Sequence, residues 1–368
     1  MHEPGDLPMS FIFVRCCGGR HVSRKEISMK KIVSILLSAC FVMGAVCACD
    51  STPATEEETQ AETTTEATEE ETTEETAEES AEESEEETSD AGDSIYPFDY
   101  TDAYGNTVTI EGPAETVVSV SPALTEIIYA LGAEDKLIGR SDYCDYPEQV
   151  FDIQAVGPID LPDTELIVSL DPDIVIASSI FSEEAYNALT DAGLTVAIVR
   201  DESTFDGMFD VVSEVADIIG VHENGEYLVA DMQARYDEIA TEPSEDAPSV
   251  YYCMGYGEYG EYTAGGDTFI NDIIEAAGAT NAAGDVEGWS FSLEALLEAD
   301  PDYILVPAWG YDAFIETEPY TDLTAVQEGR VISIDNNMFE RQGPRNLDAI
   351  ELIQDAIADF ADAEAEAA

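Results

Sequence analysis

The sequence predicts an α/β protein of two lobes, each with a mainly parallel sheet, joined by one long helix. Three observations predict it. From residue 95 on, short apolar runs alternate with helical periodicities. Two separate segments recur in the same order further along the chain. Between the recurrences lies one long amphipathic stretch, 223–241, with Tyr227, Leu228, Met232, Tyr236 and Ile239 at helical spacing. About 270 residues follow the acidic tract described below, enough for two lobes with cores of their own.

The elements follow in order. Residues 98–101 and 107–111 flank Asp102-Ala-Tyr-Gly-Asn106, the pattern of a β-hairpin. Apolar runs at 117–120, 174–177, 196–199, 250–254, 304–306 and 331–334 predict strands. Helical spacing predicts helices over 124–131, 183–192, 205–219, 269–277, 293–298 and 347–360. Glu165-Leu-Ile-Val-Ser-Leu-Asp171-Pro172-Asp173-Ile-Val-Ile176 aligns without a gap with Glu294-Ala-Leu-Leu-Glu-Ala-Asp300-Pro301-Asp302-Tyr-Ile-Leu305. Each copy is a helix stopped before proline and run into a buried strand. Glu126-Ile-Ile-Tyr-Ala-Leu-Gly132-Ala133 matches Asp272-Ile-Ile-Glu-Ala-Ala-Gly278-Ala279, a helix closed by glycine. Two ordered matches point to duplication, against the plainer alternative that α/β units share such patterns by chance. A single helical link, closed by Glu242-Pro-Ser-Glu-Asp-Ala-Pro248, predicts small hinge movement between the lobes. The expected organisation is an N-terminal lobe over 95–222, the connecting helix in 223–247 and a C-terminal lobe over 248–368.

The N-terminal part reads as an address. Residues 1–28 look like a misassigned upstream start. Met29-Lys30-Lys31 and the apolar run after it, through 48, have the form of a secretory signal. The run ends in Val46-Cys47-Ala48-Cys49, similar to a bacterial lipobox, which implies lipidation of Cys49 and anchoring to the outer face of the cell membrane. The rival Leu37-Ser38-Ala39-Cys40 leaves an apolar core of only about six residues. Residues 50–94 hold 17 Glu and no Lys or Arg. Such a stretch cannot bury enough apolar surface to order itself, so 49–94 is expected to be a lipidated, solvated tether. Fully extended, it would reach about 150 Å.

Composition excludes several functions. With 81 acidic and 13 basic residues, net charge −68, the chain lacks the basic patches that bind nucleic acid or a membrane surface. After residue 49 the one histidine is His222, too few for a His-rich metal site or most His-based catalysis. Cys144 and Cys253, 109 residues apart, are expected to be buried free thiols. Gly255-Tyr-Gly257-Glu-Tyr-Gly260 has dinucleotide-loop spacing, but no helix follows at once, so it reads as a Tyr-rich loop. An enzyme on a two-lobed scaffold would need a nucleophile with its base or a ligand cluster, and neither stands out.

Val118-Ser-Val-Ser-Pro-Ala-Leu-Thr-Glu126, Asp142-Tyr-Cys-Asp-Tyr-Pro147, Val156-Gly157, the two Asp-Pro-Asp segments and Phe339-Glu-Arg-Gln-Gly-Pro-Arg345 stand in a telling order and spacing. Over about residues 95–362 the chain resembles solute-binding lipoproteins of ABC importers, in the helical-backbone class that serves cobalamin, haem and ferric siderophores. Asp145-Tyr146-Pro147 and the Phe-Glu-Arg…Pro-Arg segment are most similar to the cobalamin-binding branch. The resemblance implies two Rossmann-like lobes (class III), no catalysis and no cofactor. It also implies a monomer whose partners are an ABC permease and its ATPase. The implied cargo is a corrinoid; a ferric siderophore or haem is the alternative, and a two-lobed α/β enzyme a weaker one. By position the resemblance places Ser121, Pro122, Ala123, Tyr143, Ile159 and Ser178 on one wall of an interlobe cleft. It places Met254, Tyr262, Trp289, Phe339 and Arg341 on the other. Ile159, Ser178 and Met254 depart from the aromatics found in cobalamin-binding relatives, which leaves the ligand open. Glu165 and Glu294, equivalent in the repeat, match the acids that meet permease arginines. Scarce cations should disfavour polyanionic siderophores unless Arg140, Arg200, Arg341 and Arg345 gather in the cleft. The ranking is therefore corrinoid, then siderophore, then haem.

Overall fold

A computed structural model describes residues 95–367 apart from 258 and 259. The signal segment, Cys49 and the tether lie outside the described residues. The chain opens with β1 (Phe98–Thr101), paired antiparallel with β2 (Thr107–Ile110). Asp102 closes the turn: its Oδ1 accepts the backbone N–H of Tyr104 at 2.9 Å and of Asn106 at 2.8 Å.

Two four-stranded parallel sheets follow. The first comprises β3 (Val117–Ser119), α1 (Pro122–Ala130), β4 (Leu137–Arg140), α2 (Thr164–Leu170), β5 (Ile174–Ser178), α3 (Glu183–Asp191), β6 (Val196–Val199) and α4 (Phe205–Ile219). Its strand order is β4-β3-β5-β6. After α5 (His222–Ile239), the second sheet is built from β7 (Ser249–Tyr252), with β8 (Glu261–Tyr262), α6 (Phe269–Ala276), β9 (Thr280–Asn281), β10 (Ser290–Phe291), α7 (Leu293–Ala299) and β11 (Tyr303–Pro307) in sequence. Then come α8 (Tyr311–Glu316), α9 (Thr324–Gln327), β12 (Val331–Ile334), α10 (Asn337–Glu340) and α11 (Arg345–Ala367). Its order, β9-β7-β11-β12, repeats that of the first sheet, while β8 and β10 form a separate antiparallel pair.

The duplication read in the sequence is therefore structural. In each repeat the helix ends in an aspartate with left-handed backbone, Asp171 (φ 52°) and Asp300 (φ 38°). Aspartate tolerates this region better than most side chains, and the proline after it forbids another helical turn. The third residue of each Asp-Pro-Asp ties the turn to the first strand of its sheet. Asp173 Oδ2 accepts from the backbone N–H groups of Glu115 and Thr116, each at 2.8 Å. Asp302 Oδ2 accepts from the Ser249 N–H and hydroxyl, each at 2.8 Å. The second match holds too: after α1, Ala133 N–H donates to Ile128 O, and after α6, Ala279 N–H donates to Ile274 O.

One core runs through both lobes. The apolar face of α4 (Phe209, Val212, Val215, Ile219) packs with α1, and the Phe205 ring lies tilted 5.0 Å from that of Phe269 on α6. Smaller clusters lie beneath α2 and α3, and beneath α7 and α8, so each sheet is covered on both faces. The amphipathic stretch is α5, which packs on α4. A Cβ on Gly225 would come within 2.4 Å of Ala216 Cβ, so this approach requires glycine. Strand β4 was not foreseen. Its Leu-Ile-Gly-Arg is too short to show a period, and a Cβ on Gly139 would meet Val118 at 2.9 Å. The strand expected over 250–254 stops at Tyr252, because Met254 leaves its sheet to donate to Tyr262 O at 2.9 Å. Among the described residues no helix is long and apolar enough to cross a membrane.

Candidate functional site

The carboxyl ends of the two sheets face each other. Asn337, just past β12, donates to Asp145, just past β4, at 3.4 Å. Arg341 donates to Asp145 Oδ1 at 2.6 Å and to Tyr143 O at 3.2 Å. Beyond β6, Glu202 N–H donates to Gln342 Oε1 at 3.0 Å, and the Gln342 amide returns a bond to Glu202 O.

A buried ion cluster forms this seam. Glu126 on α1 is 7% exposed. Arg345 grips it with Nε on Oε2 at 2.7 Å and Nη2 on Oε1 at 2.8 Å, and Arg341 Nη1 adds a contact to Oε1 at 2.8 Å. Asp335 lies 3.1 Å from Arg345, whose guanidinium also sits 4.3 Å over the Tyr146 ring. Burial alone would lower the pKa of both arginines, but the carboxylates bonded to them raise it. Asp272, the repeat equivalent of Glu126, also crosses between lobes and accepts Phe205 N–H at 3.2 Å. Burial pushes its carboxyl up, partly offset by that bond.

The expected wall residues divide. Ser121 and Pro122 are buried at the start of α1, and Ala123 is half-buried beside them. Tyr143 is exposed, while Ile159, in a loop, and Ser178, the last residue of β5, are half-buried at the carboxyl edge. Across the seam, Tyr262 pairs with Ser290 and Thr263 N–H donates to Trp289 O at 3.1 Å, so the exposed Tyr262 and Trp289 leave alternate faces of the β8–β10 pair. Met254 is half-buried against the core. Two expectations change. Phe339 is fully buried, 5.6 Å from the Tyr252 ring, because α10 turns it inward; it is a core residue. Arg341 is engaged by Glu126, Asp145 and Tyr143 O, so it ties the two lobes together at the seam and does not stand free.

Sequence reasoning missed Trp309. It is 73% exposed directly after β11, on a loop held by Tyr256 hydroxyl donating to Gly310 O at 2.9 Å. The repeat offset that equates Asp171 with Asp300 equates Ile180 with Trp309, and Ile180 is 60% exposed after β5. Applying that offset to the loops would have found the pair. Both are exposed apolar side chains on loops at the carboxyl ends of their sheets.

Glu165 and Glu294 are both exposed second residues of their helices, capped alike by Asp163 and Ser292. A helix that feeds a parallel strand starts at the carboxyl edge of its sheet, so both acids lie on that edge. Among the described residues no group of three or more His, Cys, Asp or Glu could hold a metal ion. Cys144 and Cys253 are free and buried, and burial pushes the Cys253 thiol up to about 12. The G-x-G-x-x-G stretch is a loop: Gly255 bridges to Tyr262, and Gly257 and Gly260 have positive φ.

Residues 117–338, more than half of the chain, match the periplasmic binding protein family. The chain belongs to that family. Its paired parallel sheets joined by a helix are the class III form of the periplasmic binding protein fold. The chain is 30% identical over 271 residues to the uncharacterized ABC transporter substrate-binding lipoprotein YvrC of Bacillus subtilis, covering 72% of this chain and 86% of that protein. It is 29% identical over 277 residues to a cobalamin-binding protein of Halobacterium salinarum, covering 71% and 74%. The apo periplasmic heme-binding protein RhuT from Roseiflexus sp. RS-1 superposes with a TM-score of 0.61 at 28% identity, covering 67% and 99%.

Proposed function

We propose that this chain is the extracytoplasmic substrate-binding component of an ABC importer, and that it captures a corrinoid between its lobes without catalysis. The observation that carries the reading is the cleft itself. Tyr143 and Ile180, after β4 and β5, and Tyr262, Trp289 and Trp309 in the other lobe are exposed, apolar side chains suited to a broad macrocycle held by area. The cations that a polyanionic siderophore would need are already engaged. Arg341 and Arg345 are held by Glu126, Arg200 pairs with Glu214 at 3.3 Å, and Arg140 donates to Val150 O and Ser141 O. This favours a ligand close to neutral. The similarity to a cobalamin-binding protein supports corrinoid first; the similarity to RhuT supports haem as the second reading.

In the proposed cycle the cleft closes modestly on the ligand, then Glu165 and Glu294 meet permease arginines, one contact per lobe. Cys49 carries the lipid anchor, residues 50–94 form the tether, and the protein acts as a monomer with its permease and ATPase. A Glu165→Arg, Glu294→Arg double variant should bind ligand normally and fail in uptake. Normal uptake would remove the docking assignment. Calorimetric titration with cyanocobalamin tests the ligand: saturable one-to-one binding is expected, and no heat with cobalamin but saturation with haemin would move the reading to haem.

A further inference from the structure

Two exposed aromatics of the C-terminal lobe stand on separate elements, Tyr262 on β8 and Trp309 on the loop after β11. Half-buried Tyr256 bridges them. Its neighbour Gly255 donates to Tyr262 O at 3.2 Å and accepts Tyr262 N–H at 2.9 Å. The Tyr256 hydroxyl donates to Gly310 O at 2.9 Å, one residue past Trp309. A Cβ on Gly255 would come within 3.3 Å of the Tyr262 ring, and one on Gly310 within 3.3 Å of the Tyr256 ring. Glycine at both positions lets a ring lie close against backbone.

The bridge is seated on the core. The Tyr256 ring meets Phe314 edge-on at 5.1 Å and Tyr320 edge-on at 5.4 Å, and those two rings stack at 4.7 Å. Phe314 and Tyr320 are at most 1% exposed. The Tyr320 hydroxyl accepts Gly257 N–H at 2.9 Å and donates to Glu261 Oε1 at 2.5 Å. The chain on both sides of Tyr256 and Tyr262 is thus tied to one buried ring. By the offset of 129 that equates Ile180 with Trp309, the N-terminal lobe has Ala185 and Asp191 in place of Phe314 and Tyr320. This aromatic support therefore belongs to one copy of the repeat.

A tryptophan on an unsupported loop loses freedom when it meets a ligand, and that loss weakens binding; fixing it beforehand removes the cost. We propose that Tyr256, backed by Tyr320, is a positioning residue that holds Trp309 and the strand carrying Tyr262 at a fixed spacing before ligand arrives. The role in binding rests on the reading of these aromatics as ligand contacts; the spacing does not.

The chain has two tryptophans, so Trp289→Phe leaves Trp309 as the one emitter. Time-resolved anisotropy of Trp309, without ligand, compares that chain with one also carrying Tyr256→Phe, which keeps the ring and removes the hydroxyl. The nanosecond local component should grow severalfold in the second chain. In the otherwise unaltered protein, Tyr256→Phe should weaken cyanocobalamin binding about fivefold. Unchanged anisotropy would overturn the proposal, and so would unchanged affinity in a protein that binds. A parent that binds neither cobalamin nor haemin would remove the ligand reading, and the ligand-free anisotropy would still decide whether Tyr256 positions Trp309. Should Tyr256→Phe not fold, hydrogen exchange of the unaltered chain decides: a protected Gly257 amide supports the tie to Tyr320, and exchange at the rate of a free loop amide overturns it.

Discussion

Truncating Glu126 to alanine tests the ion cluster that joins the lobes. The carboxylate makes three charged contacts of 2.7–2.8 Å with Arg341 and Arg345, whose side chains are 13% and 11% exposed. Removing one partner of a buried pair costs roughly 3–5 kcal/mol, because the charge left behind stays desolvated. Asp145 and Asp335, both about half exposed, remain at 2.6 and 3.1 Å and leave each guanidinium one carboxylate. The loss should therefore fall at the low end, about 3 kcal/mol. Glu126→Gln keeps an acceptor and should cost less, about 2 kcal/mol. Urea unfolding with linear extrapolation measures both. Adding Arg345→Ala to Glu126→Ala should cost well under the sum of the single changes, since the stranded charge is gone. A Glu126→Ala loss below about 1 kcal/mol, or strict additivity in the cycle, would refute the view that this cluster holds the lobes.

Further outcomes follow from other residues. Asp171→Gly should raise stability by up to about 1 kcal/mol by relieving left-handed backbone, whereas Asp300→Gly should not, because Asp300 also accepts Thr324 N–H at 2.8 Å; equilibrium unfolding compares them. The hydrogen bond from His222 to Asp217, at 2.5 Å, raises the histidine pKa against a smaller opposing effect of burial. Its contribution to stability is then complete below about pH 6.5 and lost as pH rises through the folded value, so Asp217→Asn should cost more at pH 5.5 than at pH 8.5. Asp173 runs the other way. Backbone N–H groups of Thr116 and Glu115 lower its pKa, so its contribution is present above about pH 3.9 and fades as pH falls through the folded value, as acid titration of Asp173→Ala against the parent should show. Trp309→Ala should weaken ligand binding about tenfold and leave the thermal midpoint nearly unchanged.

Much of the fold was legible because the repeat carries its own signals. Asp-Pro-Asp marks a helix stop, a left-handed residue and a strand start, and all three appear twice. Strands β4 and β9 were not legible, because two to four residues show no period and depend on a sheet already formed. The site was read by position more than by physics. Tyr262 and Trp289 are exposed at the short β8–β10 pair, which lies outside the four-stranded sheet. Phe339 and Arg341 behave differently for a tertiary reason: a one-turn helix turns the ring onto Tyr252, and the arginine meets a glutamate 215 positions earlier in the chain. No local pattern reports a contact of that span. Trp309 was within reach, since the offset of 129 between the repeat copies leads to it from Ile180.

The most direct test of the central claim is isothermal titration of the chain with cyanocobalamin, repeated on a Trp289→Ala, Trp309→Ala variant. Saturable one-to-one binding by the parent, at micromolar affinity or tighter and weakened by at least about tenfold in the variant, is the result the cleft predicts. Equal affinity in both proteins, or no binding of either cobalamin or haemin by the parent, would contradict it.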